Sequence, residues 1–147
     1  MQAIEISRTA LDVEWRRLEI ISENLANANV SNSPKAATFR ELHLISGPKN
    51  DFSALLDPNK TDFNVDLGKL TGVQVLSVQA SAAAPRLVRE PGNPQADANG
   101  FVSYPAIDHA GLMTEMIKTS RAYEANIAAI NSAREMYSKA LQLGERA

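Results

Sequence analysis

The stretch Asp108–Gly144, DHAGLMTEMIKTSRAYEANIAAINSAREMYSKALQLG, decides the fold of this chain. It contains no proline and, before its final residue, one glycine, Gly111, so nothing inside it forces a helix to stop. Asp108 stands where an N-cap belongs and Gly144 where a helix ends. His109, Met116, Tyr123, Ile130 and Tyr137 recur every seven residues, and Met113, Ser120, Ile127, Arg134 and Leu141 follow each of them by four. That recurrence lays both lines along one helix face and, sustained over five turns of the pattern, makes a seam of the coiled-coil kind. The spacing predicts a helix of about 35 residues, about 52 Å long. Glu135 and Lys139 form an i, i+4 pair on the solvent side, worth about 0.2–0.5 kcal/mol.

The other end of the chain repeats the theme. Ile4, Leu11, Leu18 and Leu25 are seven apart, with Trp15 and Ser22 four residues after Leu11 and Leu18, while Asp12, Glu14, Arg16, Arg17, Glu19 and Glu23 lie mostly off the stripe. This predicts an amphipathic helix of about 25 residues. It runs out in NLANANVSNSP, where Asn24, Asn27, Asn29 and Asn32 compete with the helix through local hydrogen bonds and Pro34 turns Ser33 away from helical geometry.

Between the helices lie all seven prolines and five of the seven glycines. The tracts Thr38–Ser46 and Gly72–Gln79 carry β-branched and apolar runs that read as strands. Leu87 and Val88, then the turn-rich PGNPQADANG, then Phe101, Val102 and Tyr104, read as two more strands joined by a long loop. DFSALLDPNKTDFNVDLGKLTG reads either as a loop carrying a helical turn or as a mobile insertion. The expected architecture is mainly α with a small β region: long N- and C-terminal amphipathic helices forming a coiled-coil-like core, and a central β-rich domain with loops. The divisions fall at 1–30, 31–106 and 107–147.

Composition narrows the function. Lysine plus arginine number 15 against 17 acids, a net charge of −2, so there is no positive field for nucleic acid or anionic lipid. No cysteine is present, which excludes disulfides, thiolate metal sites and thiol nucleophiles. His43 and His109 are too isolated to suggest a metal site, and no phosphate-binding glycine loop, nucleophile elbow or HExxH helix occurs. No enzyme and no cofactor are expected. The opening MQAIEISRTALDVEW, with acids at Glu5 and Asp12, has neither the pattern of a cleaved secretory signal nor that of a membrane span. A seam between two helices alone recovers little of the entropy of ordering so long a helical chain, and more packing faces from neighbouring chains would close the gap.

The first helix running into Asn24-Leu25-Ala26-Asn27-Ala28-Asn29 resembles the N-terminal signature of flagellar axial proteins, the rod, hook and hook-associated families. The tract from Glu90 to Val102, followed by Pro105-Ala106-Ile107-Asp108 and by Ser120-Arg121-Ala122-Tyr123-Glu124-Ala125-Asn126, is similar to the basal-body rod proteins of the proximal rod. The chain departs from that pattern at Phe101, Ala106 and Leu112. The resemblance implies a structural subunit exported intact by the flagellar type III apparatus and built into the periplasmic rod with copies of itself and other rod proteins, without nucleic acid or membrane insertion. The assembly interface expected on the first helix is Ile4, Leu11, Trp15, Leu18, Leu25 and Asn27. On the second it is Met113, Met116, Tyr123, Ile127, Ile130, Tyr137 and Leu141. Two other readings stand beside this one: a soluble helical-hairpin adaptor that binds one partner protein, and another flagellar axial protein.

Overall fold

The computed structural model describes residues 2–49 and 71–144; the ambiguous tract beginning at Asp51 lies, up to Leu70, outside the described residues. The element order is α1 (Gln2–Asn27), β1 (Leu42–Pro48), β2 (Val73–Ala80), β3 (Arg86–Arg89), β4 (Phe101–Tyr104) and α2 (His109–Gly144). The described residues are thus mainly α, with a helix towards each end and two small two-stranded sheets, β1–β2 and β3–β4, between them. Asp108 caps α2 as its sequence position implies: its Oδ1 accepts from the Ala110 amide at 3.1 Å and its carbonyl from Leu112 at 2.9 Å. At the end of α1 the Asn27 side chain donates back to the Glu23 carbonyl at 2.8 Å. The first strand starts at Leu42 and not at Thr38, whose hydroxyl shares a hydrogen bond of 2.7 Å with the Ser103 hydroxyl.

The chain divides into two compact units, each drawing on both helices. One comprises Arg17–Ile45 and Ser77–Thr119, in which Ile20, Ile21, Ala28, Val102 and Leu112 are buried. Its centre is β4, where Val102 is fully enclosed. β3 pairs with β4 in antiparallel register, Val88 opposite Val102 and Leu87 opposite Ser103. Opposite residues share a sheet face, so Val88 and Val102 lie on one side, and Leu87, Arg89 and Phe101 lie on the other and stay exposed. The other edge of β4 is closed by Asn32, whose amide and carbonyl exchange hydrogen bonds of 2.9 and 2.8 Å with Ser103.

The second unit comprises residues up to Arg16, the described parts of Ser46–Leu76, and α2 from Ser120. Among the described residues of this unit, Val13 is buried. Thr9 joins helix to strand: its hydroxyl donates to the Ile6 carbonyl at 2.8 Å and accepts from the Val73 amide at 3.1 Å. The close approach depends on Gly72, which has φ +105° and sits where a side chain's first carbon would run into the Thr9 hydroxyl.

Candidate assembly surface

A helix advances about 100° per residue, so the two ends of this chain can be read face by face. In α1 the buried residues are Val13, Ile20, Ile21 and Asn24, followed by Ala28 just beyond the helix. The predicted stripe is displaced from that arc: Leu18 and Asn24 are six residues apart, about 120° around the helix. Ile4, Leu11, Leu18, Leu25 and Asn27 are half-buried, and Trp15 is 56% exposed. In α2 Leu112 and Thr119 are buried, seven residues apart. Tyr123 and Ile130 are half-buried, whereas Met113, Met116, Ile127, Tyr137 and Leu141 are exposed. None of the thirteen expected interface residues is fully enclosed by the chain. The structure brings two of them together across the helices, Trp15 and Tyr123, with ring centroids 6.3 Å apart and planes tilted by 48°.

Beyond Ala133 the exposure is continuous. Every residue from Arg134 to Gly144 is exposed, including Met136, Tyr137, Leu141 and Leu143. Met136 and Leu143 are also seven apart, on a line beside the predicted seam; with Ile117 they are apolar positions that heptad counting missed. The signal that would have found them is the width of the stripe, since a helix packed on more than one neighbour carries apolar residues over more than two heptad positions.

The tract between β3 and β4 is held by its own side chains. Asp97 Oδ1 accepts from the amides of Asn99 at 2.9 Å and Phe101 at 2.8 Å, and Gly100 turns at φ +79° against Pro91. Glu90 accepts from the Tyr104 phenol at 3.0 and 3.1 Å and from the Asn93 side chain at 2.9 Å. The hydrogen bond to Glu90, aided by partial desolvation and the carboxylate charge, raises the Tyr104 pKa above its ordinary value; Ser31 and Arg86 act in the opposite direction. The Arg86 guanidinium lies 6.0 Å from the centre of the Tyr104 ring. The hairpin is therefore a preformed, hydrogen-bonded unit in which Leu87, Arg89 and Phe101 are exposed on the face that also carries the buried Ser103.

Among the described residues there is no group of histidine and acidic side chains arranged to hold a metal ion, and no helix is long and apolar enough to cross a membrane. A depression lined by Thr9, Asp12, Val13, Lys49 and Val73–Val75 opens to solvent and presents one acid and one base, without converging catalytic groups.

The family described as flagellar basal body rod FlgEFG protein C-terminal matches residues 98–143, from the hairpin turn through nearly all of α2. Over 148 residues, covering 99% of this chain and 98% of the relative, the chain is 36% identical to the flagellar basal-body rod protein FlgC of Salmonella typhimurium. It is 33% identical to the FlgC protein of Escherichia coli O6:H1 over 146 residues, with 99% and 98% covered. To that of Bacillus subtilis it is 28% identical over 148 residues, with 97% of each covered. Helices at both ends with uncovered apolar faces, a hydrogen-bonded hairpin between them and near end-to-end similarity converge on one conclusion: the chain belongs to the FlgC family of flagellar basal-body rod proteins, structural subunits and not enzymes.

Proposed function

We propose that this subunit enters the proximal rod by packing α1 and α2 against the terminal helices of neighbouring rod subunits, in coiled-coil-like layers that polymerise head to tail. Residues 1–30 and 107–147 supply those layers, and residues 31–106 face outward and set the orientation of the subunit. The observation that carries the proposal is the last third of α2, where eleven consecutive helical residues, Arg134–Gly144, are exposed with four large apolar side chains among them. Isolated helices of that length are marginal in water and gain their stability from packing an apolar face. Contacts of this type need not close on themselves, so they propagate along an axis, and close-packed helical layers have the stiffness a torque-transmitting shaft requires. In this reading the subunit reaches the periplasm through the flagellar type III export apparatus, without a cleaved signal peptide.

Tyr137→Asp and Leu141→Asp test the proposal, because both side chains are more than half exposed and tolerate a charge in the free subunit. The expected result is unchanged thermal unfolding of the purified protein and continued export, with rods that stop before the hook. Swimming motility at the wild-type level in both variants would refute the role of α2.

A further inference from the structure

Asn24 is 1% exposed, yet it carries a primary amide. Its Nδ2 donates to the Leu42 carbonyl at 2.8 Å, and its Oδ1 accepts from the Leu42 amide at 2.8 Å. The carboxamide thus offers the first residue of β1 the same donor and acceptor pair that a neighbouring strand would offer. One heptad earlier on α1, the Arg17 guanidinium donates to the Leu44 carbonyl at 3.5 Å, two residues further along the same strand. A strand normally takes its register from a tight turn or from a strict apolar alternation. β1 has neither. It is joined to β2 through Lys49–Gly72, far longer than the about two to five residues with which a hairpin turn imposes register. Its alternation, with Leu42 and Leu44 half-buried and His43 and Ile45 exposed, lapses at Ser46 and Gly47.

We infer that Asn24 is a register lock: its carboxamide stands in for a strand at Leu42 and so fixes which side chains of β1 turn outward. A slip by one residue would exchange His43 and Ile45 for Leu42 and Leu44 on the outer face. The inference stands on the geometry at Asn24 and does not depend on how the terminal helices assemble.

The test uses the chemistry of the amide. In Asn24→Asp the ionised carboxylate keeps an acceptor for the Leu42 amide but has no donor for the Leu42 carbonyl, and repulsion between these two oxygens pushes the strand away and breaks both bonds. The protonated acid has one donor and one acceptor and restores them. Burial raises the pKa of such a carboxyl, so the lock is present at acid pH and is lost as pH rises through that raised value. Amide exchange of the full chain, expressed as protection relative to an unstructured peptide, is measured at about pH 4.5 and about pH 8. Leu42 is expected to keep its protection at both in the wild type, to lose about tenfold at both in Asn24→Ala, and to lose it only at the higher pH in Asn24→Asp. Single cysteines placed by His43→Cys and Leu44→Cys in this cysteine-free chain report the facing directly. The His43 side chain is 54% exposed, so its substitute reacts faster with a maleimide, and the difference disappears in Asn24→Ala. Unchanged Leu42 protection in Asn24→Ala overturns the inference. So does loss of protection at Val102 together with Leu42 that acid does not reverse in Asn24→Asp, because that pattern assigns Asn24 to the fold as a whole.

Discussion

Gly72 and Gly92 are the same residue in different circumstances. At Gly72 a methyl group meets both an unfavourable φ of +105° and the Thr9 hydroxyl that accepts from Val73, while at Gly92 nothing lies within 4 Å. Gly72→Ala should therefore lower stability by about 1–3 kcal/mol in urea unfolding, and Gly92→Ala should leave it within about 0.5 kcal/mol. The Tyr104–Glu90 pair makes a pH prediction. A phenol whose folded pKa lies above the unfolded value of 10.0 stabilises the protein below that value, and the contribution fades as pH rises through the folded pKa. Glu90→Gln should lower the midpoint of Tyr104 ionisation, followed by tyrosinate absorbance against a Tyr104→Phe control, and should flatten the alkaline loss of stability. No downward movement of the midpoint would mean that Glu90 is not the cause of the shift. Asn24 shows the limit of reading residues singly. In the sequence it is one asparagine among several that end a helix, and its pairing with Leu42 crosses 18 positions that no local pattern connects.

At the scale of elements, the hairpin and the helices were legible to different degrees. α2 spans His109–Gly144 because a proline-free, capped run with apolar recurrence has few alternatives to a helix. The β3–β4 pair was legible as two apolar runs around turn residues, but its faces were not, since a four-residue strand has too few positions for alternation to declare its inner side. Register supplies the answer: Val88 and Val102 are inward, Leu87 and Phe101 outward. Val102→Ala should accordingly cost about 2 kcal/mol by chemical denaturation, and Leu87→Ser no more than about 0.5 kcal/mol. Equal effects from the two would contradict the assigned faces. The heptad count marked a line through Leu11, Leu18 and Leu25 in α1, not the arc that Val13, Ile20 and Asn24 bury, because both lines have apolar residues seven apart.

For the molecule as a whole, the described structure encloses few large apolar side chains and leaves many exposed, from Trp15 and Ile117 to Leu141 and Leu143. Exposed apolar area of that extent is what the proposed packing against neighbouring chains would cover. The purified protein should associate with rising concentration in sedimentation velocity, and removal of residues 134–147 should abolish that association while circular dichroism loses only the helix that was deleted. A chain that remains monomeric at all concentrations, with the end of α2 fully protected from exchange, would sink the reading of that end as an assembly surface.

The sequence by itself determined the two terminal helices, the turn-rich middle, the exclusion of cysteine chemistry and the kinship with flagellar rod proteins. The first three rest on composition or on spacing along the chain, and the kinship on motifs that resemble those of known rod proteins; neither needs a partner to be read. Only the tertiary structure decided which arc of α1 is buried, that Asn24 reaches Leu42, that Thr9 requires Gly72, and that α2 continues uncovered past Ala133. Those facts depend on which distant residues meet, and burial is a property of the meeting and not of either residue alone.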